Sequence, residues 1–385
     1  MCAEATRIAC DVLVVGAGIT GTVTARELSR AGADVVLVDR FDVGTQGSGY
    51  NAGSLHLQIQ HAPFRERGEA WARAYAPATA LLRAGCDGWA ALADELGVDL
   101  EVDTPGGVLV AETEAQLRDV ERKVAIEREQ GLDVELLDRD GLRRVAPYVS
   151  DRMAGGELCR GEGKASALIA APALARDAQR HGTRLRRHTD VTAIARDGDG
   201  FEVLTSNGSI RARRVVSAGG VDAGRITAMV GRPLPITGEA IQASVTEPVA
   251  PLVRHLVYFA GDMLTLKQSA VGTVLIGGGW PAALDPGSGR PAVSPASLDA
   301  NLGVARRVVP AVANVRLVRT WAGFVNATAD WLPVIDELPD VPGFFVGAFP
   351  YMGFTAGPVV GRELAALALD RTPEHDLTPF AVDRF

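Results

Sequence analysis

Hydrophobic and polar positions alternate between three regimes along the chain. Near the start, Asp11-Val-Leu-Val-Val15 and Val35-Val-Leu-Val38 are short continuous apolar runs, the pattern of parallel strands buried on both faces. Between them, Thr22 to Ala31 reads as a helix, with Val23, Leu28 and Ala31 near one face and Gly32 as its stop. Strand, helix and strand in so short a stretch predict a βαβ unit. Helical spacing returns over 65–98, where Trp71, Leu81, Leu82, Trp89, Leu92 and Leu96 are candidate core positions, and over 168–182 with small residues. Glu112 to Gln130 reads as a charged, solvated helix. Thr104 to Val110 predicts a turn and then a strand. Two-residue alternation governs Val191–Ala195, Phe201–Thr205 and Ile210–Val216, joined by Asp197-Gly-Asp-Gly200 and Asn207-Gly208, so a β-meander is expected there. Residues 234–280 are again strand-rich, and the C-terminal stretch holds short strands, a glycine-rich turn and a helix from about Pro358 to Leu369.

Segments that read as βαβ thus flank segments that read as antiparallel sheet. The expected fold class is α/β (α+β overall), a Rossmann-like nucleotide-binding domain interleaved with an antiparallel-sheet substrate domain. The expected boundaries are 1–85, 146–230 and 315–385 for the first and 86–145 and 231–314 for the second.

Length and charge narrow the function classes. The 385 residues suffice for two or three domains, and a net charge of −8 gives no electrostatic reason to expect nucleic acid or an anionic membrane surface. No apolar run reaches the roughly 18–20 residues of a membrane span. Met1–Cys10 lacks the apolar segment of a secretory signal. Cys2, Cys10, Cys86 and Cys159 form no C-x-x-C pair, so no metal or cluster site is expected on this chain, and a reducing cytoplasm is the expected compartment.

The candidate chemistry begins where the first strand ends. Gly16, Gly18 and Gly21 make G-x-G-x-x-G, with Ala17, Ile19 and Thr20 between them. The first glycine permits the tight turn, the second admits a pyrophosphate to the backbone, and the third lets helix and strand pack closely. The helix N-terminus adds free N–H groups and a positive dipole end. Asp39 closes the second strand, 18 residues after Gly21, where a carboxylate accepts hydrogen bonds from a ribose and disfavours a 2′-phosphate. An adenine dinucleotide is expected. Further small-residue turns at Gly47-Ser-Gly49, Ala218-Gly-Gly220 and Met352-Gly-Phe-Thr-Ala-Gly357 suit an extended FAD, which needs contacts from many parts of a chain.

At these residues the sequence resembles the D-amino-acid oxidase superfamily, which includes glycine oxidase, sarcosine oxidase and related dehydrogenases. The resemblance runs through Gly16–Gly21, Ala25, Leu28, Gly32 and Asp39, the loop Gly47–Gln58, Gly161-Glu-Gly-Lys164, Arg319-Thr-Trp-Ala-Gly323, Asp330, Pro333 and Gly353–Pro358, nearly the whole chain. Within it, Asn51–His56 and Lys267-Gln268 with Val274–Trp280 look closest to the flavin subunits of opine, D-hydroxyproline and hydrogen cyanide synthase-type dehydrogenases. The resemblance implies FAD contacts at Arg40, Gly47, Ser48, Asn51, Ala52, Gly53, Ser54, Leu55, Val191, Ala218, Gly219, Gly220, Gly323, Met352, Gly353, Phe354 and Thr355, besides the glycine motif and Asp39. The sequence also departs from relatives. The arginine that grips substrate carboxylate after Trp-Ala-Gly in glycine oxidases is replaced by Phe324-Val-Asn-Ala327, and no cysteine follows Cys159, so FAD is expected to be noncovalent.

The implied reaction is oxidation of the C–N bond of an amino acid or N-substituted amino acid (opine, proline or hydroxyproline, glycine or sarcosine type). Hydride transfer to flavin gives an imine that hydrolyses, and dehydrogenase is favoured over oxidase. Three side chains are catalytic candidates. His56 either binds substrate or tunes the flavin, or is a satisfied structural histidine at a loop end; His61 is expected in solvent. Lys267, sharing a strand face with Met263 and Thr265, either meets a carboxylate or reduced flavin, or is an exposed sheet lysine. Tyr351 lines the pocket beside the C-terminal glycine turn. Arg319 is read as an interdomain ion pair or a substrate contact, and Trp321 as core. A second reading makes the chain the flavin-bearing member of a heteromeric complex, with a partner carrying an iron–sulfur cluster or second flavin. A third, a nicotinamide-dependent dehydrogenase, predicts no bound chromophore.

Overall fold

The computed structural model describes residues 7–385; Cys2, and with it most of the Met1–Cys10 stretch, lies outside them. Two large sheets organise the chain. The first runs, edge to edge, through Val334–Glu337, Phe344–Ala348, Gly208–Ser217, Arg7–Val15, Val35–Val38 and Arg184–Arg186. Its central pairs are parallel, with Val15 opposite both Ser217 and Val38. The apolar runs of the first two strands explain this position, since Val12–Val15 and Val35–Val38 are buried on both faces. The expected meander hangs on Gly208–Ser217 as the antiparallel strands Val191–Asp197 and Gly200–Thr205.

Helix Ile19–Arg30 follows the glycine turn and packs between helices Ala167–Arg180 and Gly353–Ala368. Small residues set that approach: a Cβ on Gly357 would fall 2.7 Å from Ile19 Cγ2, and one on Gly361 2.7 Å from Val23 Cβ. The C-terminal helix starts at Gly353, earlier than expected, with Pro358 inside it. What the sequence presents as a glycine-rich turn is therefore its first turn.

The second sheet runs Leu317–Ala327, Thr237–Pro248, Thr273–Gly277, Thr265–Gln268, Leu256–Phe259, Gly107–Ala111, Gly155–Cys159, Val134–Asp138. It is antiparallel except where Leu256–Phe259 meets Gly107–Ala111. Gly155–Cys159 and Leu317–Ala327, which the sequence boundaries assign to the nucleotide-binding stretches, pair in this sheet. Each has a partner distant in sequence, Gly107–Ala111 for the first and Thr237–Pro248 for the second. Helix Glu114–Glu129 begins in a Thr113–Gln116 capping box. It is not wholly solvated: Lys123 and Glu127 are fully buried, Lys123 Nζ lying 2.5 Å from Glu127 Oε1 and 2.8 Å from Glu157 Oε2. Among the described residues no helix is long and apolar enough to cross a membrane.

Candidate active site

A cavity of about 560 Å3 opens where the two sheets meet, and both sheets line it. At one end the wall is backbone. The first strand stops at Val15, and Gly16 turns with φ +109°, a conformation that favours glycine. A Cβ there would sit 2.4 Å from the Ala218 carbonyl oxygen, and one on Gly21 1.8 Å from that of Gly16. The helix N-cap, Gly18, has no side-chain cap. A Cβ there would fall 2.8 Å from Ser48 Oγ, which accepts the Ile19 N–H at 2.9 Å. A helix N-terminus over a cavity, with no side chain at its N-cap, suits a diphosphate. Asp39 takes on a task the sequence does not announce. Its Oδ2 accepts the Ala17 N–H at 2.7 Å and its Oδ1 the Phe41 N–H at 2.7 Å, so it braces the glycine turn from below. Burial raises its pKa, partly opposed by those two N–H groups. Arg40 pairs with Asp222 at 2.5 Å. The cradle that added Cβ atoms would fill, the helix end with glycine at its N-cap and the braced acid fit an adenine dinucleotide.

Most residues expected at the cofactor converge here. Gly16, Gly18, Ile19, Thr20, Asp39, Arg40, Gly47, Ser48, Asn51, Ala52 and Ser54 line the cavity, as do Val191, Ala218–Gly220, Gly323 and Met352–Thr355. Ala17, Gly21, Gly53 and Leu55 do not; they pack behind it. Gly53 has φ +73°, and an added Cβ would strike the Ala165 carbonyl oxygen at 2.2 Å. Thr355 is fixed through its side chain, Oγ1 accepting the His56 N–H at 2.9 Å.

The other end is built from side chains. His56 lines it, and its Nδ1 lies 2.7 Å from Tyr258 Oη. Burial, reinforced by the charge of Lys267, lowers its pKa to about 3, so the ring is neutral. Lys267 is not an exposed sheet lysine. It is 2% exposed and donates to Ser54 Oγ at 2.6 Å, behind the wall that Met263 and Thr265 line. Desolvation, with a smaller push from Lys164, lowers its pKa to about 7. Tyr351 lines the cavity, stacks on Trp331 with ring centroids 4.0 Å apart, and donates to Glu239 Oε1 at 2.8 Å.

Three expectations need correction. His61 is not in solvent: it lines the cavity, its Nε2 is buried without a partner, and burial lowers its pKa to about 4. Trp321 is not core; it lines the cavity and donates Nε1–H to the Tyr50 carbonyl oxygen at 2.7 Å. Arg319 is exposed on the edge strand, away from the cavity and without an ion pair among the described residues. Sequence reasoning also missed Tyr258. It sits in Leu256-Val-Tyr-Phe259, a strand buried throughout, whose unbroken apolar run hides which side chain faces the cavity.

A family model described as FAD dependent oxidoreductase (DAO) matches residues 11–367. The chain is 30% identical to glycine oxidase of Geobacillus kaustophilus, over 97% of each chain. It is 26% identical to the beta chain of sarcosine oxidase from Rhizobium meliloti, over 97% of this chain and 88% of that one. To an opine oxidase subunit of Rhizobium meliloti it is 27% identical over 97% of each. The crystal structure of glycine oxidase from Geobacillus kaustophilus superposes with a TM-score of 0.88 over 98% of this chain and 99% of that one, at 27% identity.

Proposed function

The chain belongs to the DAO family of FAD dependent oxidoreductases, and from that premise we propose that it oxidises the C–N bond of an amino acid or N-substituted amino acid of the opine, proline or glycine/sarcosine type. One observation carries the reading. A single cavity joins the glycine cradle at one end to buried, neutral polar side chains at the other. FAD, when bound, supplies the two-electron acceptor for the amine, whose imine product hydrolyses in water. The protein's own work is to bind, orient and desolvate. Gly16, Gly18 and the N-terminus of helix Ile19–Arg30 would hold the diphosphate, and Asp39 keeps their turn in shape. Ser54, held from behind by Lys267, forms one wall, His56 and Tyr258 another, and Met352–Thr355 a third. Noncovalent FAD is supported in so far as none of the described cysteines, Cys10, Cys86 and Cys159, lines the cavity to form a thioether.

Electrons pass to a partner subunit carrying an iron–sulfur cluster or second flavin, making the chain a dehydrogenase. The names of two relatives as parts of multi-chain oxidases support a heteromeric setting. A cytoplasmic location fits its free, buried thiols. The substrate-side domain includes Gly155–Cys159 and Leu317–Ala327 together with 231–314, since those strands share its sheet.

Anaerobic mixing of the FAD-loaded chain with opines, prolines, D-amino acids and N-methylglycine tests the reading. At least one class should bleach the flavin within seconds, with little peroxide released under air. No bleaching by any of them would refute amine oxidation by this chain, and vigorous peroxide release would refute the dehydrogenase assignment.

A further inference from the structure

Three side chains form a hydrogen-bonded chain from the protein interior to the cavity wall. Glu162 is fully buried. Its Oε1 accepts the Leu57 N–H at 2.6 Å and the Gln58 N–H at 2.9 Å, and its Oε2 accepts Gln58 Nε2–H at 2.8 Å. Tyr258 Oη lies 3.1 Å from the same Oε1, and His56 Nδ1 lies 2.7 Å from Tyr258 Oη. Room for the carboxylate is reserved by Gly107, where any Cβ would fall 1.7 Å from Glu162 Oε2.

The direction of each bond follows by elimination. A backbone N–H donates and never accepts. Oε1, already facing two of them, is an acceptor, and an acid form of Glu162 carries its proton on Oε2. Tyr258 therefore spends its single O–H on Glu162; burial and that carboxylate push the phenol well above its ordinary pKa, so it keeps the proton. Only lone pairs remain on the phenol oxygen for His56. Nδ1 must then carry the ring hydrogen, and Nε2 is left with the lone pair.

We propose that Glu162, acting through Tyr258, is a positioning residue that fixes His56 as the Nδ1–H tautomer and so makes Nε2 the hydrogen-bond acceptor for the N–H of an amine substrate. The inference deepens the reading of the cavity as a site of amine oxidation and rests on it. Burial makes the ring a weak base, so Nε2 orients the amine through a hydrogen bond and takes no proton from it.

The test is long-range 1H–15N NMR of the FAD-loaded chain labelled at its histidines, with the His56 signals assigned by their loss in His56→Gln. The wild type should show a neutral Nδ1–H ring. Tyr258→Phe removes the acceptor and should give a mixed or Nε2–H pattern, with kcat/KM down about tenfold and FAD retained, the scale of one hydrogen bond. Glu162→Gln keeps an acceptor oxygen and should preserve the tautomer. An Nε2–H ring or an imidazolium in the wild type, or an unchanged tautomer in Tyr258→Phe, overturns the proposal; the wild-type spectrum decides even if a variant misfolds. The expected tautomer in a chain whose flavin no amine bleaches refutes the oxidation reading and the amine as partner of Nε2. The wrong tautomer in a chain that oxidises amines refutes the relay alone.

Discussion

The two ends of the cavity are made by different means. The nucleotide end is mostly backbone: glycines whose neighbours leave no room for a Cβ, a helix without a side-chain cap, and one acid that holds the turn. The amine end is side chains held in place by other side chains, His56 by Tyr258, Tyr258 by Glu162 and Lys267 by Ser54. Backbone recognition tolerates almost no substitution but asks little of residue identity elsewhere. Side-chain recognition can change one contact at a time, which suits a fold reused for several amines.

Substitutions at the two ends should therefore fail in different ways. The largest effect is expected for Gly21→Ala. Its Cβ would meet a backbone carbonyl at 1.8 Å, which no rotamer relieves. Flavin absorbance per chain should collapse and stability fall by about 3 kcal/mol or more, read as Tm. Lys267→Met should act at the other end only, keeping FAD while turnover falls about tenfold. It carries a pH signature too. Native Lys267 releases its proton near 7, whereas the unfolded chain holds one up to the ordinary value of 10.5. The unfolded state thus binds more protons across that window, so wild-type stability climbs from about pH 7 upward and is poorest below it. The Tm–pH curve of Lys267→Met should lose that climb; an identical slope would show that Lys267 is not the group responsible. The smallest effect belongs to Tyr351→Phe. It gives up the bond to a well-hydrated Glu239 but keeps the stack on Trp331. KM should shift by less than about threefold, with stability within about 1 kcal/mol.

The same contrast explains what could be read from the sequence. Val12–Val15, the three glycines and Asp39 are close neighbours in the chain, and their spacing carries their geometry. The meander at 191–217 was legible for the same reason, each turn lying between the strands it joins. The amine end was not. Tyr258 meets His56 across 202 positions and Lys267 meets Ser54 across 213, contacts that only the second sheet brings about. Helix Glu114–Glu129 looked solvated because Lys123 and Glu127 are charged, and nothing local says that Glu157 will cover them. Pro358 suggested a helix start, whereas the close approach of Gly357 and Gly361 to Ile19 and Val23 shows that the helix is set by packing.

That packing has a consequence for biogenesis. The turn at Gly16–Gly21 is synthesised more than 300 residues before the helix that buttresses it, Gly353–Ala368. Long-range closure of this kind is slow and leaves apolar surface bare meanwhile. A nascent chain therefore cannot capture its coenzyme as it grows. Loading waits until that helix has been made, and the unladen chain must be chaperoned or kept scarce until then.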